Sequence, residues 1–121
     1  MYLGLFGVIV LVGLLSYSAF RSVTCTDETC FINRAKDCKS AYFENVIATA
    51  TVGYTVLDNC AVEKQILSLD GSEPQNIKVM FEGSAMECSF DDGSFDSALL
   101  SSFTGGISTC KGTLKTLIDL V

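Results

Sequence analysis

The first twenty residues, Met1 to Phe20 (MYLGLFGVIVLVGLLSYSAF), carry no charged side chain and no proline, and the first charge is Arg21. A helix rises about 1.5 Å per residue, so roughly 19 such residues reach about 28 Å, close to the hydrocarbon thickness of a bilayer. A stretch this apolar needs lipid or other apolar surface around it. The sequence therefore divides into an apolar helix over 1–22, acting as membrane span or filament core, and a water-soluble head over 23–121. A cleavable secretory signal is the rival reading, because Ser16-Tyr17-Ser18-Ala19 offers the small residues of a cleavage site. The segment lacks the basic n-region of such signals, so it is expected to stay on the finished chain.

The head must do its work without histidine or tryptophan. That excludes Ser-His-Asp and Cys-His catalysis and any zinc site built on His. The formal net charge of −6 argues against holding DNA or RNA, which is driven by Lys and Arg neutralising phosphates, so no nucleic-acid partner is expected.

All six cysteines, Cys25, Cys30, Cys38, Cys60, Cys88 and Cys110, fall in the head. An even number in so short a chain reads as a disulfide framework formed in an oxidising compartment. A metal site is the competing reading, but no C-x-x-C knuckle is present, the nearest pair being Cys25 and Cys30. Thr24 or Thr26 can cap a short helix that has Asp27 and Glu28 in its first turn, runs through Cys38, and carries Phe31 and Ala35 on one stripe. On such a helix Cys30 and Cys38 lie about 12 Å apart, beyond the reach of one disulfide. The two are expected to staple the helix to other segments, those bearing Cys60, Cys88 or Cys110, and the sequence selects no single connectivity.

From Phe43 to Leu57, Ala48, Ala50, Val52, Tyr54 and Val56 alternate with Thr49, Thr51 and Thr55, which predicts one strand with one face buried. Asp58-Asn59 turns the chain into a second strand from Cys60 to Leu69. After a polar loop holding the only proline, Ile77, Val79 and Phe81 alternate as a third strand. Gly83-Ser84 turns again, and Met86, Cys88 and Phe90 form a fourth. Phe95 to Phe103 suits a short helix, and Thr113 to Leu120 a last one, with Leu114, Leu117, Ile118 and Val121 docked on the sheet. The expected fold class is α+β: a long apolar N-terminal helix, then a disulfide-stapled head with an antiparallel meander of about four strands and short flanking helices.

Chemistry-bearing motifs are sparse. Asp91-Asp92-Gly93-Ser94-Phe95-Asp96 is the best cation candidate, but it lacks the ligand spacing of an EF-hand and reads more simply as a turn with an Asp or Ser cap. Ser101-Ser102 have no histidine base, and a Ser-Lys pair is only formally open. Gly105-Gly106 has no phosphate-loop spacing. Tyr42, Phe43, Tyr54 and Phe81 fit core positions better than a binding surface. No enzymatic activity, metal or cofactor is expected.

An uncharged apolar N-terminal helix continuing directly into a small head resembles the type IV pilin-like subunits, whose leader is cut ahead of that helix. A basic leader removed before Met1 would also resolve the orientation conflict posed by Arg21 under the positive-inside rule. The glutamate that bacterial pilins carry near the start of the helix is missing here, so the resemblance is to the archaeal style. The pattern C-x4-C-F-I-x-x-A-x-x-C over Cys25–Cys38, with Cys110-Lys111-Gly112, is also similar to small exported archaeal proteins of unknown role, which implies localisation and disulfides but no activity. The resemblance implies a structural subunit of an extracellular or cell-surface filament, with copies of itself as partner and membrane lipid before or instead of assembly. Gly4, Gly7, Val8, Leu11, Leu14 and Leu15 are the expected assembly positions. A single-span membrane-anchored binding module is the alternative.

Overall fold

The computed structural model describes residues 23–91 and 93–120. The apolar helix expected over 1–22, with Gly4, Gly7, Val8, Leu11, Leu14 and Leu15, lies outside the described residues, as do Asp92 and Val121. Among the described residues no helix is long and apolar enough to cross a membrane.

The described chain corrects the expected four-stranded meander. It forms a single six-stranded mixed sheet in the order β1-β2-β3-β4-β5-β6, with three short helices. β1 (Val23–Thr24) runs parallel to β2 (Ala41–Ile47), and β3 (Ala50–Val56), β4 (Ala61–Leu69), β5 (Ala85–Ser89) and β6 (Cys110–Lys111) follow antiparallel.

Two expected strands change identity. The run from Phe43 to Leu57 is a hairpin, turning at Ala48-Thr49 between the paired residues Ile47 and Ala50. No Gly, Asn or Asp marks that turn, and Ala48 itself takes the left-handed φ of 53°. Since that conformation costs an L-residue roughly 1–2 kcal/mol, Ala48→Gly is expected to raise stability by about 1 kcal/mol, measured as a higher urea midpoint at unchanged slope. The expected strand at 77–81 is a helix, α2 (Gln75–Phe81), started by Pro74, whose carbonyl accepts from the backbone N–H of both Ile77 and Lys78. Its alternation was too short to separate a strand from an apolar helix, and the edge of β4 that it would need is taken by β5.

The remaining helices are α1 (Glu28–Lys36) and α3 (Thr113–Leu120). Asp27, rather than Thr24 or Thr26, caps α1, its carboxylate accepting from Cys30 N at 2.8 Å. The chain cannot start the helix earlier because Cys25 N still donates to Tyr42 O in the sheet. α1 also ends before Cys38, which sits just past it at a φ of 55°, with Cys38 N donating to Ala35 O and Lys39 N to Arg34 O in a Schellman closure.

Three disulfides form: Cys25–Cys30, Cys38–Cys60 and Cys88–Cys110. The expectation that Cys30 staples α1 to a distant segment is overturned. Cys25 lies just outside the Asp27 cap, 5.6 Å from Cys30 between Cα atoms, so the bond closes over the helix start. Cys38 does reach the β3–β4 turn at Cys60, and Cys88 and Cys110 face each other across β5 and β6. These bonds mark an oxidising extracellular or secreted environment.

Every described helix lies on one face of the sheet. Phe31 of α1 packs against Phe43, Tyr54 and Phe95 with ring centroids 5.9 to 6.0 Å apart. Leu114 of α3 and the 3-10 residues Leu99 and Leu100 are fully buried in the same core. The other face carries Glu44, Thr51, Thr55, Glu63 and Glu87, none of them buried.

Candidate functional site

Alternation along β4 places Lys64 on the same face as Val62 and Ile66, and the register sets it in a row with Phe43, Tyr54 and Met86 across four strands. It is a lysine at a core position, 0% exposed. Neither ion pair found among the described residues, Lys78–Glu82 and Lys115–Asp119, involves it. Its charge is met by dipoles. Nζ donates to Leu99 O at 2.8 Å and to Ser102 O at 2.7 Å, and stands 5.6 Å from the Tyr54 ring centroid and 5.8 Å from that of Phe103.

Two neighbouring strands aim polar groups at the same turn. Asn45 of β2 donates to Leu100 O at 2.6 Å and Tyr54 of β3 donates to Leu99 O at 3.4 Å. The 3-10 turn Ser97–Leu100 leaves its last carbonyls without partners of its own, and a cation at that end is favoured by the aligned peptide dipoles. Asn45, Tyr54 and Lys64 therefore clamp the segment from Ser97 to Phe103 onto the sheet.

Burial lowers the Lys64 ammonium from 10.5 to about 8 and raises the Tyr54 hydroxyl, the latter against a smaller lowering by Asn45 and with a small further rise from the Glu28 charge. Tyr42, on the opposite face, is pushed up to about 12 by desolvation and by the Glu44 carboxylate it donates to. Between pH 8 and 10 the folded chain binds fewer protons at Lys64 than the unfolded chain, so stability rises with pH. Above pH 10 the unfolded tyrosines lose protons that Tyr42 and Tyr54 keep, and stability falls again. A maximum near pH 10 is expected, with a rise from pH 8 of about 1–2 kcal/mol. Lys64→Met is expected to remove the rise and leave the fall, measured by urea melts across that range.

Beside the clamp lies an apolar groove of about 320 Å³. Ile66 and Leu69 of β4 form its floor, Ile77 and Phe81 of α2 one side, and Phe103 with Ile118 of α3 the other. The Phe103 ring thus belongs both to the groove wall and to the surroundings of Lys64.

Among the described residues, the other sequence-predicted positions are found in separate local roles. Asp96 caps the 3-10 turn, its carboxylate accepting from Ala98 N at 3.0 Å, and Asp91 O accepts from the Ser94 backbone and hydroxyl. Among the described residues no group of three or more His, Cys, Asp or Glu is placed to hold a metal ion. Lys64 meets Ser102 through the carbonyl, while the Ser102 hydroxyl accepts from Gly105 N at 2.7 Å, so the two are not arranged as nucleophile and base. Gly105 is needed for packing, since a Cβ there would stand 2.9 Å from Ala98 O. Of the four aromatic candidates, Phe43 and Tyr54 are core, Phe81 lines the groove, and Tyr42 bonds Glu44 at 2.6 Å.

Lys64 is the residue that sequence reasoning missed. Its signal was present, a lysine in register with Val62 and Ile66, but a lone lysine in a strand reads as solvent-facing. Compared with protein families, curated proteins and solved structures, the chain finds no match.

Proposed function

We propose that this chain is a structural subunit of a pilus-like extracellular filament, of the archaeal type IV pilin-like layout, that assembles through its apolar N-terminal segment while the stapled head forms the outer wall. The supporting observation is the junction. Val23 is already paired with Ala41, and Cys25 is 4% exposed, bonded through its backbone to Tyr42 O at 2.7 Å and through its sulfur to Cys30. Only Arg21 and Ser22 separate that pinned strand from the apolar run. A repeating lattice needs heads held at a fixed angle to the core, whereas a displayed binding module works best on a flexible linker.

The alternative, a single-span anchored binding module, draws on the apolar groove, which falls at the small end of the range for ligand sites. Negative-stain microscopy of the full chain from its native source separates the two. Filaments with a regular axial repeat support the subunit reading, and detergent-dependent single particles overturn it.

A further inference from the structure

We propose that the apolar groove between β4, α2, Phe103 and α3 receives the apolar N-terminal segment of a second copy, joining subunits head to tail. This inference rests on the filament reading and names the surface that the segment meets.

The placement carries the argument. Leu69 pairs with Ala50, so the groove lies at the end of the sheet where β2 turns into β3. The chain enters β1 at Val23, paired with Ala41, at the opposite end. The seven residues of β2 separate these ends by about 20 Å. Because β1 runs parallel to β2, Val23 enters the sheet from the end facing away from the groove, so a chain could reach its own groove only by reversing ahead of Val23 and running back along its own head. A second copy meets no such constraint. Its segment leaves one pole of its own head and finds an apolar groove at the other pole of the next. Such an interface joins two different patches, and unless the rotation closes a ring it propagates as an open filament.

The chemistry of the two partners agrees. The segment has no charge through Phe20, and its Leu, Val, Ile and Phe side chains need dry surface. Among the described residues the one carboxylate in the groove lining, Glu73, already accepts from the Thr49 hydroxyl at 2.9 Å, and apart from Thr49 and Thr104 the remaining lining is aliphatic or aromatic. Among the described residues no cation lines the groove to select a charged ligand.

Two variants on α2 separate the groove from the helix that bears it. Ile77 faces the groove, whereas Val79 on the outer side is 73% exposed. In the full chain, Ile77→Asp is expected to lower filament yield by about tenfold or more, because a carboxylate would be buried against apolar side chains, while Val79→Asp leaves the yield unchanged. A photocrosslink gives a readout independent of folding losses. Filaments are grown from a mixture of heavy-isotope and ordinary chains carrying Phe81→benzoylphenylalanine, irradiated, digested and weighed. Mixed-label peptides joining the groove to residues 1–20 support the proposal. Same-label joins only, showing that a chain fills its own groove, overturn it, and so do crosslinks to lipid alone or none to that segment. Normal filaments from Ile77→Asp overturn the groove and leave the filament reading standing, whereas an absence of filaments from the unaltered chain removes both.

Discussion

Full reduction of the three disulfides is expected to unfold the head near room temperature. Cys38–Cys60 and Cys88–Cys110 each span 22 residues, and closing loops of that size restricts the unfolded chain by about 3 kcal/mol apiece. Cys25–Cys30 spans only 5 residues and contributes less. The sum is comparable with the whole stability of a small domain, about 5–15 kcal/mol. Each long bond also holds something weak. Cys88–Cys110 ties the two-residue β6 to β5 and so keeps α3, with Leu114 fully buried, on the core. Cys38–Cys60 joins two residues that are both held at left-handed φ. Circular dichroism melts with and without reductant, with thiols counted by mass, should show the midpoint falling by about 20 °C or more. A fully reduced head with an unchanged midpoint would show that its core suffices alone.

The second large effect is expected from Leu11→Asp. The substitution puts a carboxylate near the middle of a run that has no other charge before Arg21. An aspartate at the centre of an apolar span costs about 2.5–3.5 kcal/mol in lipid, and against packed apolar neighbours it has no partner to offset its desolvation. Because every subunit brings the same charge to every contact, assembly is expected to be lost while the head keeps its disulfides and its melting midpoint. Normal fibres from this variant would contradict assembly through the apolar segment.

Where local chemistry decided the structure, the sequence was readable. Thr113 to Leu120 forms the expected helix within its expected bounds, because Leu114, Leu117 and Ile118 recur at helical spacing and Gly112 precedes them. The strand at Ala61–Leu69 follows its turn at Asp58-Asn59 as expected. The misreadings came where tertiary contacts overrode local signals. Ala48 turns a hairpin without a turn residue because Ile47 and Ala50 pair around it. The two-residue β1 and β6 have no signal of their own and exist because β2 and β5 offer open edges next to disulfide-held cysteines. Cys25–Cys30 was hidden because the helix was expected to begin earlier than the Asp27 cap allows. The Lys64 clamp depends on Leu99 and Ser102, 35 and 38 residues away, and no window along the chain brings those carbonyls to it.

The brevity of β1 and β6 has its own consequence for crowding. Identical sheets packed side by side on a surface invite backbone zippering, the route to amyloid-like deposits. Among the described residues, β1 caps only Ala41 and Tyr42 of β2 and β6 only Glu87 and Cys88 of β5, each cap tethered by a cysteine, Cys25 or Cys110, and beyond the first cap the outer edge of β2 from Phe43 to Ile47 has no strand beside it. In dense arrays of these heads, backbone pairing between neighbours is therefore confined to the short stretch of β2 beyond its cap, while the β1 and β6 flanks meet through side chains.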